Sequence, residues 1–239
     1  MITTRLKDDN WALHQIAERQ ETPGSLIKGT MPKDGYLAML AQQLFINSAL
    51  DAALTDAMRQ DPRIAELVLG EQMLTPYLNQ DLAFFGIRID DIVPTAGTTR
   101  FIEHIRSMRD QPLHLLGLHY VRLGACNGNR FVARVVRKSY TLGEIEGTRY
   151  LDPFGEKQRT GWVDFKAALD AMPFDQDEHD LLFEGTRAAY LYAINMDLPE
   201  HHSAEQLLEM NSKTLDKKIF DEGHSVHVRS PYMDKTEQN

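Results

Sequence analysis

An all-α, single-domain multihelical bundle is the fold class this sequence predicts, on three observations. Apolar residues recur at intervals of three and four through several segments longer than ten residues, which is the spacing of a helix with one buried face. Strand-like alternation is scarce. Prolines and glycines mostly punctuate the periodic segments, as helix starts and stops do. At 239 residues and 42% apolar content the chain can bury a sizeable core.

Residues 5 to 22 read as a first helix, closed by Pro23 and Gly24. Pro32 is placed to open a long second helix from about 33 to 59, with Tyr36, Leu37, Leu40, Leu44, Phe45 and Leu50 as its core stripe. Asp61 and Pro62 interrupt the chain, and residues 63 to 80 form a weaker helix with a break at Gly70. Residues 98 to 110 are helical after a loop marked by Asp90, Asp91, Pro94 and Gly97. A central helix follows Pro112, and 142 to 160 is rich in glycine and carries no long element. Helices then span 162 to 172, 176 to 197 and 203 to 220. The expected organisation is one helical domain over residues 1–222 and a polar, flexible tail over 223–239 containing His224 and His227. No internal repeat or interdomain linker is visible.

The formal charge of −9, from 26 basic and 35 acidic residues, argues against a nucleic-acid backbone as partner. A single cysteine, Cys126, excludes an intramolecular disulfide framework and agrees with a reducing cytoplasm. The opening MITTRLKDDNW turns acidic by Asp8 and does not read as an apolar leader. No uninterrupted apolar run approaches the roughly 20 residues that span a bilayer, so membrane insertion is not expected. The fingerprints of P-loops, dinucleotide folds, zincins, redox dithiols and EF-hands are absent, as is any Glu-x-x-His pair of a helical di-iron site.

Two stretches invite a functional reading. In residues 116–137, Gly124 and Gly128 lie on one helix face with Asn127 and Asn129 beside them, at a cost of roughly 1 kcal/mol per glycine relative to alanine. That face would let either a neighbouring helix or a flat ligand come very close. In the first helix, His14 and Glu18 are four residues apart and therefore neighbours. Such a pair is either an incidental surface contact or a metal-binding imidazole whose second nitrogen is held by a carboxylate. Cys126, the only thiol available to a nucleophilic mechanism, fits simple small-residue packing between the glycines.

LHQIAERQETPGSLIKGTMPKDGYLAMLAQQLFINSALDAAL and HYVRLGACNGNRFVAR together resemble the haem oxygenases, the bacterial biliverdin-producing branch in particular. The resemblance extends more weakly over most of residues 5 to 197. It places His14 on the haem-ligating histidine and Glu18 on the acidic residue that meets the ligand imidazole. It also identifies the second stretch as the distal helix, with Tyr120, Val121, Gly124, Gly128, Ala133 and Arg134 retained. Lys166 matches a basic position that contacts the haem propionates, Phe165 the aromatic position before it, Lys7 a basic position ahead of the proximal histidine, and Tyr190 an aromatic pocket position. Three positions depart from the pattern: Leu123 stands for an acidic residue, Asn129 for the second glycine of the usual pair, and Ala125 for a serine or aspartate. Because a methyl group makes no hydrogen bond, a proton-delivery network here would use backbone groups, Asn127 or water.

The resemblance implies an all-α haem-oxygenase-like bundle that cleaves haem with dioxygen to biliverdin, carbon monoxide and ferrous iron. Haem is then both substrate and oxygen-activating cofactor. Electrons would come from an external ferredoxin, flavodoxin or reductase, since no flavin or nicotinamide fingerprint is present. The alternatives are a non-catalytic haem sensor or carrier, and a thiaminase-like or non-haem iron enzyme on the same fold.

Overall fold

The computed structural model describes residues 1–215, which form eleven α-helices and three short 3₁₀ turns, with no strand among them. The helices are α1 (Ile2–Asp8), α2 (Trp11–Glu18), α3 (Glu21–Lys28), α4 (Lys33–Gln60), α5 (Pro62–Leu67), α6 (Thr75–Phe84), α7 (Ala96–Ser107), α8 (Pro112–Tyr140), α9 (Gln158–Ala171), α10 (Gln176–Ile194) and α11 (Ala204–Asn211). His224, His227 and the expected tail lie outside the described residues.

The expected first helix is three helices. Asn10 ends the first segment by donating its side-chain amide to the Leu6 carbonyl at 3.0 Å, and Gln20 does the same to Ile16 at 3.1 Å. Pro23 terminates nothing: it sits in the first turn of α3, where its missing N–H would have had no helical partner. Gly29, at φ 66°, supplies the left-handed residue that closes α3. The weak helix expected over 63 to 80 is likewise divided, by a 3₁₀ turn at Gly70–Gln72, before Pro76 opens α6. The helix expected from 162 begins one turn earlier, at Gln158.

The long elements match their sequence signals closely. The Asp61 carboxylate caps α5 with Pro62 following, and Asp175 with Glu178 forms a reciprocal capping box on α10. Arg63 joins these two starts by bonding both Asp61 and Glu178, at 2.7 and 2.6 Å. By length and composition α4 is apolar enough to cross a bilayer. Its Tyr36, Leu40, Ala41, Leu44, Leu50 and Leu54 are buried in the core, so it serves here as a core helix.

The main core joins α4, α5, α8, α9 and α10. The contact between α8 and α10 is the most extensive in the molecule, and α10 also packs against α2. A smaller cluster of Leu13, Ile16, Ile194, Ala204, Leu207 and Leu215 seats α2 against α10 and α11. Each buried leucine or isoleucine of this cluster contributes roughly 1.5–3 kcal/mol. Burying Leu13 and Ile16 fixes the rotation of α2, and that rotation decides where His14 points. The wall shared by α2 and α8 is therefore α10.

Candidate functional site

His14 lies on α2 with its side chain 33% exposed. Its Nε2 is 3.7 Å from Glu18 Oε1, too long for a direct hydrogen bond but within reach of one bridging water. Its Nδ1 is buried and has no partner. Trp11 stacks on the imidazole at 4.9 Å between centroids, and Tyr190 from α10 meets it edge-on at 5.7 Å. Burial holds the His14 ring below its ordinary value; Glu18 pulls it back up and Lys7 pushes it further down. The result is a neutral imidazole, clamped by two aromatic rings, with an unsatisfied buried nitrogen. Such a ring can accept a metal ion, because only the deprotonated nitrogen ligates.

Tyr190 connects this histidine to α8. Burial raises its phenol, and the neighbouring Tyr120 and Glu18 act in the same direction. Tyr120 is buried, donates its hydroxyl to the Thr3 carbonyl at 3.4 Å, and lies 5.1 Å from the Trp162 ring. Trp162 reaches over Gly124, where a Cβ would meet its Cζ2 and Cη2 atoms at 3.5 Å. A Cβ on Gly128 would meet nothing within 4 Å. Glycine is thus not required by helix packing at either position.

The remaining expected residues divide. Lys166 is half-buried, with its ammonium 5.3 Å above the Trp162 ring, while Phe165 is buried in the core and stacks on Trp162. Lys7 is exposed, with its ammonium 5.9 Å from the Trp11 ring. Asn127 turns its amide back toward the Gly124 carbonyl at 3.5 Å, so it is occupied, weakly, within its own helix. Ala125 is exposed and Asn129 half-buried. Cys126 is buried, bonds back to Arg122, and burial pushes its thiol up to about 12, which leaves essentially no thiolate at neutral pH.

Two features of the site were not foreseen. One is Trp162, which had only marked a helix start. The other is the anchoring of the N-terminus: the Thr3 N–H and hydroxyl donate to Asp170 at 2.9 and 2.7 Å, tying α1 to α9. No sequence spacing signals a pair separated by 167 positions. Behind α8, two residues and hence about 200° round from Gly124, Arg122 bonds Asp51 at 2.5 Å and His119 at 2.8 Å, and His119 reaches Gln72 at 3.1 Å. This buried network, in which only the Arg122 Nε lacks a partner, holds α8 to α4 from the side away from the glycines.

The sequence matches the family profile described as Heme oxygenase over residues 1–200. This chain belongs to the haem oxygenase family. A relative named heme oxygenase from Pyropia yezoensis is 24% identical over 220 residues, covering 90% of this chain and 87% of its own length. Among solved structures, the heme oxygenase of Leptospira interrogans superposes with a TM-score of 0.75 at 22% identity, covering 82% of this chain and 97% of that one. Heme oxygenase-2 from Synechocystis, solved in complex with heme and NO, gives 0.75 at 21% identity, with 92% and 90% covered. The all-α haem oxygenase fold is therefore shown. Family membership supports a haem-degrading oxidoreductase function in general terms.

Proposed function

We propose that this chain is a biliverdin-producing haem oxygenase of the bacterial type, in which His14 would hold the haem iron. The observation that carries the reading is the His14 imidazole, held neutral, with one nitrogen directed at Glu18 and the other buried without a partner. Among the described residues no three His, Cys, Asp or Glu side chains converge on a common metal site. A single imidazole would suit an iron that brings its other ligands with it, as haem does. That favours haem over the bare ion of a non-haem iron enzyme. The shielded Cys126 thiol counts against a thiaminase-like nucleophile.

When bound, haem supplies the iron that activates dioxygen and the ring that is opened to biliverdin, with carbon monoxide and ferrous iron released. The protein supplies position. Glu18 orients the His14 ring, Trp11 and Tyr190 restrict its tilt, and the Gly124 and Gly128 backbone offers a close, side-chain-free wall. Lys166, with Lys7 further out, provides the positive charge that two propionates need. With Ala125 unable to hydrogen-bond, protons on the distal side would pass through ordered water held by Asn127 and backbone carbonyls. Electrons come from an external ferredoxin, flavodoxin or reductase, and the setting is cytoplasmic.

The test is titration with haem, followed by reductant in air. Wild type develops a Soret band that decays as biliverdin absorption grows, and His14→Ala loses the axial-imidazole spectrum. An unchanged spectrum in His14→Ala removes that residue from the role. Stable haem that is never opened would make the protein a sensor or carrier.

A further inference from the structure

The indole of Trp162 covers Gly124 on α8. Its six-membered edge lies 3.5 Å from the position of a Gly124 Cβ, which is van der Waals contact with the part of α8 that carries no side chain. The ring is held there on three sides: stacked on Phe165 at 5.8 Å, tilted against Tyr120 at 5.1 Å, and capped by the Lys166 ammonium at 5.3 Å. All three partners belong to α8 or α9, so the arrangement needs nothing from a ligand. A flat aromatic ring over a glycine backbone, with a cation above it, is a small version of a tetrapyrrole with its carboxylates near a lysine. Trp162 is four residues before Lys166 on α9, so the two side chains share one helix face and move as neighbours.

We infer that Trp162 is a ligand-site residue that stands in for the tetrapyrrole over Gly124, and that ligand entry displaces the indole and frees Lys166 for a propionate. This rests on the haem reading of the site. Entry therefore exchanges one aromatic contact on Gly124 for another, and one partner of the Lys166 cation for a carboxylate. The cost of displacing the indole falls on association, so Trp162 sets how fast the ligand is admitted. Gly128, with open space above it, is the part of the wall already clear.

Zinc protoporphyrin tests this without turnover, because its binding is read by fluorescence and needs no oxygen or reductant. Its association rate is measured by stopped flow for wild type, Trp162→Phe and Trp162→Ala. The expected result is acceleration of about tenfold in Trp162→Ala and a smaller acceleration in Trp162→Phe, which keeps the fold if the alanine variant is impaired. Binding with rates unchanged or slowed in both Trp162 variants overturns the assignment and leaves the haem reading standing. Failure of wild type to bind either haem or zinc protoporphyrin overturns both.

Discussion

The two halves of α8 use glycine for opposite purposes. In the first half, Gly117 lies against α10, where a Cβ would run into the Leu182 carbonyl and the Thr186 amide, and Gly185 answers it by touching the His114 carbonyl. There the missing side chains let two backbones meet. In the second half, a Cβ on Gly124 would reach only the movable end of Trp162, and one on Gly128 would reach nothing. Of the two explanations the sequence left open for Gly124 and Gly128, close helix packing does not account for either, whereas it does account for Gly117. A glycine that packing requires is architecture. One that packing does not require, despite its helix-propensity cost, points to something else that needs the space.

The sharpest test of this contrast is Gly117→Ala combined with Gly185→Ala. Forcing two β-carbons into the α8–α10 crossing should cost about 3 kcal/mol or more, read as a fall in the urea midpoint with an unchanged slope. A loss below 1 kcal/mol would mean that the crossing is not what demands those glycines.

Protonation should separate the halves next. His104 and His114, at the packed end, share a hydrogen bond between their Nε2 atoms at 3.0 Å, so at least one ring must stay neutral. Burial, with the opposing His104, lowers His114 from 6.5 to about 4, and burial with His201 lowers His104. A histidine kept neutral in the folded state but free to take a proton when unfolded favours folding above pH 6.5. That contribution is lost as pH falls toward about 4. Unfolding free energies from urea titrations across this window should fall by of order 2 kcal/mol, less than the full shift because solvent reaches part of the pair. His114→Gln should flatten the drop; the same slope in that variant would place its origin elsewhere.

Gly128→Leu should leave the fold intact, or more stable by up to 1 kcal/mol, while weakening haem binding about tenfold, or ~1.4 kcal/mol. Equal effects on both would erase the distinction between the halves. The smallest change is expected from Gly124→Ala in the haem-free protein. Its methyl meets Trp162 at ordinary contact distance, so thermal unfolding should report a gain of at most about 1 kcal/mol. A marked loss of stability would mean that the indole cannot give way.

The sequence alone settled what is local. Helix periodicity placed α4, α8 and α10 to within a few residues, and the His14–Glu18 pairing followed from four-residue spacing on one helix, where neighbours are determined by the backbone itself. The breaks between α1, α2 and α3 were harder to read, because Asn10 and Gln20 end helices through single side-chain hydrogen bonds that leave the periodic pattern intact. Only the tertiary structure decided which glycines are packed, that Tyr190 faces His14 across 176 positions, and that Trp162 covers Gly124. Those contacts depend on how α10 and α9 are rotated against α2 and α8. Rotation is set by close packing of buried side chains from every helix at once, a property that no single stretch of sequence carries.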